Sequence, residues 1–288
     1  MGDMKRPAKG FDEISRVFLP STTPDHSAEM VPQAAALPSR SPLLFPVLCC
    51  LSPAPAVESF FACNLSVEIA KNNKTVTLID FGFERSVVRH LMGCSNPISN
   101  AVTPAGALHP DYRLESIKFD GLAEITLVLP ARPRELNFPK RTLGRILTED
   151  KVRKCNVILI NSPMGPMPEI RTRFPKAILL IDDQIHSLAR GYSWIKRLSS
   201  GCLCFIIGAV HREGEDSKTV MRGVSKLQNA AFKHLPVGLK LRVISMPLDM
   251  EARASMHSGK PLALRESPAL SSSAGAIAKL CGSLLRNE

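Results

Sequence analysis

The chain has 288 residues, 44% hydrophobic and 22% charged, enough to bury one sizeable core. Its 37 Lys and Arg against 26 Asp and Glu give a formal net charge of +11, a field that favours anionic partners without naming one. Leu43–Leu51 is the most apolar stretch and is too short to span a bilayer, the N-terminus lacks the apolar region of a signal peptide, and the eight cysteines contain no Cys-x-x-Cys pair. Neither export nor a membrane span is expected, and the location expected is cytoplasmic.

Residues 1–19 carry Phe11, Ile14 and Phe18 at helical spacing with Asp12, Glu13 and Arg16 between them, a short amphipathic segment suited to docking on a partner. Residues 20–42 hold Pro20, Pro24, Pro32, Pro38 and Pro42 among Ser, Thr and Ala and read as a linker. From residue 43 to 288 short apolar runs alternate with helical patterns. Leu43–Leu51, Thr75–Ile79, Ile125–Leu129, Asn156–Ile160, Ala177–Ile181, Leu203–Ile207 and Lys240–Met246 read as strands. They are continuous rather than alternating, which suits strands covered on both faces. The intervening segments near 58–72, 140–153, 186–199, 217–235 and 272–286 are long enough for crossover helices. The fold class expected is α/β: a doubly wound, mostly parallel sheet with helices on both faces.

In such a sheet the ligand crevice lies beyond the carboxyl ends of the strands. Three turns there stand out: Ser52-Pro53-Ala54-Pro55-Ala56-Val57-Glu58-Ser59, Leu78-Ile79-Asp80-Phe81-Gly82 and Ile160-Asn161-Ser162-Pro163-Met164-Gly165. Phe61-Ala62-Cys63-Asn64-Leu65-Ser66 follows the first. Asp249, Gly259-Lys260-Pro261-Leu262, Pro268 and Ser271–Ser273 precede a last helix. In this order the motifs resemble the MinD/ParA family of deviant P-loop ATPases, over roughly residues 43 to 286. The tract Arg212 to Leu235 is similar to the MinD-like flagellar number regulators (FlhG-like) within it. The resemblance implies a P-loop NTPase-like fold and a nucleotide pocket at Glu58, Ser59, Asp80, Asn161 and Gly165.

The chain departs from the family where that family's chemistry lies. Aligned on Asn64, the resemblance puts Pro53 at the signature lysine, Ala54, Pro55 and Val57 at glycines, and Glu58 at the second lysine. A phosphate cradle needs backbone N–H groups, and proline has none. Glu for Lys also reverses a charge that should face phosphate. Asn161 stands at the Walker-B aspartate, Gly82 at the second switch aspartate, and Gly208, at the end of Leu203–Ile207, at the asparagine that reads adenine. Degenerate Walker motifs of this kind imply a pseudo-ATPase with no cofactor. Ser59 and Asp80 keep the alternative alive, an ATP-binding switch that takes ATP and Mg²⁺ through an altered loop and, if active, hydrolyses ATP.

Outside these turns, no catalytic cluster is expected. The seven histidines show no metal spacing. Between residues 132 and 176, Arg132, Arg134, Lys140, Arg141, Arg145, Lys151, Arg153, Lys154, Arg171, Arg173 and Lys176 outweigh Glu135, Glu149, Asp150 and Glu169. Such a basic face could track DNA or another anionic surface. Ile277, Leu280, Cys281, Leu284 and Leu285 read as a core stripe rather than a stable membrane anchor. On sequence alone the protein reads as a MinD/ParA-like regulator or scaffold acting through protein contacts in cell-pole, division or flagellar positioning. A DNA-associated positioning protein is the second alternative.

Overall fold

The computed structural model describes residues 47–51, 55–82, 87–93, 112–130, 138–162, 176–199, 204–214, 216–235, 239–265 and 271–285. The amphipathic segment with Phe11, Ile14 and Phe18, the proline-rich linker, Pro53, Ala54, Pro163, Gly165, Arg132, Arg134, Arg171 and Arg173 lie outside them.

The first strand, β1 (Val47–Leu51), leads to helix α1 (Pro55–Lys71), which is followed by β2 (Val76–Asp80) and a short α2 (Val88–Leu91). Next come β3 (Tyr112–Ile117), β4 (Ile125–Pro130), α3 (Phe138–Ile146), α4 (Asp150–Arg153) and β5 (Val157–Asn161). The chain continues through β6 (Lys176–Ile181), α5 (Ile185–Leu198), β7 (Cys204–Arg212), α6 (Ser217–His234) and β8 (Lys240–Leu248). It closes with α7 (Met250–Ser258), a 3-10 turn (Leu262–Leu264) and α8 (Ser272–Leu285).

The eight strands form one sheet in the order β3-β4-β2-β5-β1-β6-β7-β8. All neighbours are parallel except β3 and β4, where Tyr112 lies opposite Pro130 and Ile117 opposite Ile125. Successive side chains point to opposite faces, and this period sorts the core. Leu78, Val157, Leu159, Ile178 and Leu180 join α1 and α8 on one face. Ile79, Ile158 and Ile160 join Leu143 and Ile146 of α3 on the other. Helix α5 approaches that second face so closely that a Cβ on Gly191 would lie 2.4 Å from Ile181 Cδ1. The doubly wound α/β class expected from the sequence is the class observed.

Differences from expectation have local causes. The expected helix at 140–153 is two, because the Thr148 hydroxyl donates to the Arg145 carbonyl at 2.7 Å and the chain restarts at Asp150. Strand β7 runs on to Arg212 alongside β8, so Gly208 lies inside it, paired with Leu180 and Ile244, and not at its end. A Cβ there would lie 2.7 Å from Leu180 Cδ2. Helix α1 starts at Pro55, three residues earlier than expected; proline suits a first helical position because its missing N–H would have no partner there.

Candidate functional site

Strands β2 and β5 end side by side, with Asp80 in register with Asn161. The first turn of α1 brings Glu58 and Ser59 over the same end of the sheet. All four side chains are buried, at 0% exposure for Glu58, Ser59 and Asn161 and 3% for Asp80. The Asn161 Nδ2 donates to Asp80 Oδ1 at 2.8 Å and to Ser59 Oγ at 3.3 Å. Asp80 Oδ1 also accepts the Gly82 N–H at 2.9 Å, and Phe81 N–H reaches the Asn161 carbonyl at 2.8 Å. A hydrogen bond to a charged acceptor is worth about 1.5–3 kcal/mol, so the amide holds the two strand ends and α1 together. Its Oδ1 is buried with no hydrogen-bond partner among the described residues.

Of the five sequence-predicted site residues, Ser59, Asp80 and Asn161 are joined by hydrogen bonds at one place, Glu58 precedes Ser59 in α1, and Gly165 is outside the described residues. Glu58 lies in the first turn of α1, where the positive end of the helix dipole favours a carboxylate. Gly82 turns the chain after β2 and is tied down by Asp80. Gly208 lies inside β7, level with Leu180, the residue before the last of β6.

A second polar cluster, whose members the sequence showed but did not connect, closes the turn between β8 and α7. Asp249 caps α7 by accepting the Ala252 N–H at 2.8 Å, while Oδ2 accepts Ser271 Oγ at 2.7 Å, Ser272 Oγ at 3.1 Å and Ser273 N–H at 3.1 Å. Burial alone would raise this carboxyl; the Ser273 N–H, the Ser271 hydroxyl, the Ala252 N–H and the Ser272 hydroxyl outweigh it and hold it below the ordinary range. The spacing of Asp249 before a helix and Gly259 after it, where φ is 67°, is the signal that marks α7.

Of the basic face, Arg145, Lys151, Arg153 and Lys154 are exposed around α3 and α4, and Lys151 pairs with Glu124 at 3.1 Å. Among the described residues no group of three or more His, Cys, Asp or Glu is placed to hold a metal ion. Also among them, no helix is long and apolar enough to cross a membrane. The α8 stripe of Ile277, Leu280, Cys281 and Leu284 is buried against α1 and β8, as its helical spacing predicts.

A mostly parallel sheet whose central strand is followed by a helix, with buried polar groups at the strand ends, defines a doubly wound α/β fold. No family model and no curated protein matches the sequence. Solved structures do. MinD in the MinC:MinD cell division complex of Aquifex aeolicus matches with a TM-score of 0.60 at 18% identity, over 84% of this chain and 96% of that one. The Pyrococcus furiosus cell division ATPase MinD matches with a TM-score of 0.57 at 18% identity, over 84% and 99%. A Cyanothece McdA variant in complex with ATP matches with a TM-score of 0.58 at 13% identity, over 85% and 98%. The chain has the MinD/ParA-type fold.

Proposed function

We propose that the protein is a regulator or scaffold on a MinD/ParA-type sheet that does not hydrolyse ATP and acts through protein contacts. The observation that carries this reading is the Asn161 amide, whose NH₂ donates to both Asp80 and Ser59. Those two oxygens are what such a site would offer to magnesium, and here a neutral donor engages them. The other residues fit a magnesium nucleotide no better. A buried Glu58 carboxylate stands where the resemblance expects a lysine, and two like charges 4 Å apart repel by about 4 kcal/mol at an effective dielectric of 20. Pro53 and Pro55 supply no N–H for a phosphate.

In the Aquifex aeolicus complex, a protein of this fold is bound to MinC. By extension this chain works with a protein partner in a positioning or division-related role, the flagellar branch included. A second reading, an ATP-binding switch with an altered loop, draws on the buried Asn161 Oδ1, an acceptor that a bound donor would satisfy. Calorimetric titration with ATP and Mg²⁺ and with ADP, with melting followed in the same samples, separates the two. The expected result is neither heat nor a rise in melting temperature at millimolar nucleotide. Micromolar binding overturns the first reading in favour of the second.

A further inference from the structure

Helix α6 carries Lys218, Arg222, Lys226 and Lys233 and no acidic residue from Ser217 to His234. All four cations are exposed, and none makes an ion pair among the described residues. The nearest carboxylates in sequence, Glu213, Glu215 and Asp216, precede its N-terminal end. There Asp216 caps the helix through the Lys218 N–H, and Glu213 accepts the Met250 N–H at 3.3 Å. The inward stripe is Val220, Val224, Leu227 and Ala231. At 100° per residue, Lys218, Arg222 and Lys233 point away from that stripe, with Lys226 beside them.

A neighbouring flank holds Met221, Ser225, Gln228 and Phe232. Gln228 Nε2 reaches the Leu241 carbonyl at 3.4 Å, so this flank looks along the edge strand β8. On it Met221 is 36% and Phe232 56% exposed, about 16 Å apart along the axis. Large apolar side chains left open beside a row of cations are a recognition surface in the making.

We infer that this face of α6 docks an acidic segment of a protein partner, whose carboxylates meet the lysines and arginine while its apolar side chains cover Met221 and Phe232. A phosphate backbone would satisfy the cations and leave the methionine exposed. A bilayer would find only two side chains to insert, because the helix's apolar stripe is committed to the core. Strand addition is hindered near both ends of β8: Pro247 has no N–H, its carbonyl accepts Ser273 Oγ at 2.6 Å, and the Leu241 carbonyl accepts Gln228 Nε2.

The test is fluorescence anisotropy of a labelled synthetic peptide, about five helical turns long, with Glu on one stripe and Leu and Phe on the next, titrated with the full chain. A DNA duplex and phosphatidylglycerol vesicles run beside it. Expected is saturable peptide binding that weakens by about tenfold or more in Arg222→Glu/Lys226→Glu and, separately, in Phe232→Ser. These positions are exposed, and unchanged melting confirms the fold; Arg222→Ala replaces the double variant should that one melt early. No peptide binding, binding indifferent to both sets of variants, or binding of DNA or vesicles alone overturns the proposal. It builds on the protein-contact reading, yet the two fail separately. Micromolar ATP removes that reading and leaves peptide binding intact, whereas a silent peptide removes this one with the nucleotide titration unaffected.

Discussion

The side-chain oxygen of Asn64 on α1 accepts the backbone N–H of Ala263 at 2.9 Å, across 199 residues of sequence, while its Nδ2 donates to the Phe60 carbonyl at 2.8 Å. Asn64 is fully buried, so the bond ties the first helix to the 3-10 turn before α8 with no water to substitute for it. Asn64→Ala leaves the Ala263 N–H unsatisfied and costs about 2 kcal/mol of stability. Urea unfolding measures this, and a loss well under half that size means the turn finds another acceptor.

Asn161→Asp exchanges a donor for a second carboxylate beside Asp80. Two buried carboxylates in contact raise the proton affinity of the pair. A folded-state pKa above the unfolded one gives stability that is present at low pH and lost as pH rises. The variant is therefore destabilised by about 2 kcal/mol or more near pH 8 and recovers toward pH 5. Urea midpoints at the two pH values decide it; equal losses at both refute the coupling.

Asp249 gives the opposite slope. Its carboxyl is held below the ordinary range, so it contributes stability that is complete above the unfolded pKa, about 3.9, and lost as pH falls through the lower folded value. Asp249→Ala removes a helix cap and acceptors for two serine hydroxyls, a cost of about 2 kcal/mol at neutral pH. The difference between wild type and variant should shrink on acidification below pH 4. A constant difference down to pH 2 shows that the carboxylate charge is immaterial.

Gly259 has φ 67°, and a Cβ there would lie 2.6 Å from His90 Cε1. The imidazole of His90 rests on that glycine and reaches the His257 carbonyl at 3.3 Å. Gly259→Ala combines left-handed strain with displacement of the ring and costs about 1–3 kcal/mol. In Gly259→Ala/His90→Ala the steric part disappears and the strain stays, which a double-mutant cycle resolves.

Cys281 is buried beside Glu68, and its thiol is pushed up to about 12 by burial and then by that carboxylate. In the native protein at pH 8 it resists iodoacetamide and reacts once urea unfolds the chain. Mass spectrometry of the labelled peptides checks this; rapid native labelling of Cys281 counts against the packing of α8 on α1.

Much of this architecture was legible because parallel strands covered on both faces are apolar without interruption, and each of the seven runs singled out in the sequence contains or overlaps a strand. Strand β3 was not legible. Arg113, Glu115 and Ser116 mark an antiparallel edge that lacks such a run, and α7 buries only Ala252 and Ser255, too little for a stripe. The convergence of Ser59, Asp80 and Asn161 could be read from motif order, since each lies at a strand end or in the helix start beside it. The direction of the Asn161 amide could not, because it depends on which neighbour carries the charge. Nor could the embedding of Gly208, which needed the length of β7 against β8.

Strand β1 sits in the middle of the sheet between β5 and β6, with Val47 beside Ile158 and Leu48 beside Lys176. A ribosome completes this strand long before either neighbour exists, and the nascent chain must grow past Ile158 before the first central pairing can close. Such separated partners slow folding and leave apolar edges waiting in the meantime. Synthesis of this protein therefore places its greatest demand on chaperones between the emergence of β1 and that of β6. Truncations ending before β5 should be insoluble, whereas the complete sheet hides every strand but its two edges.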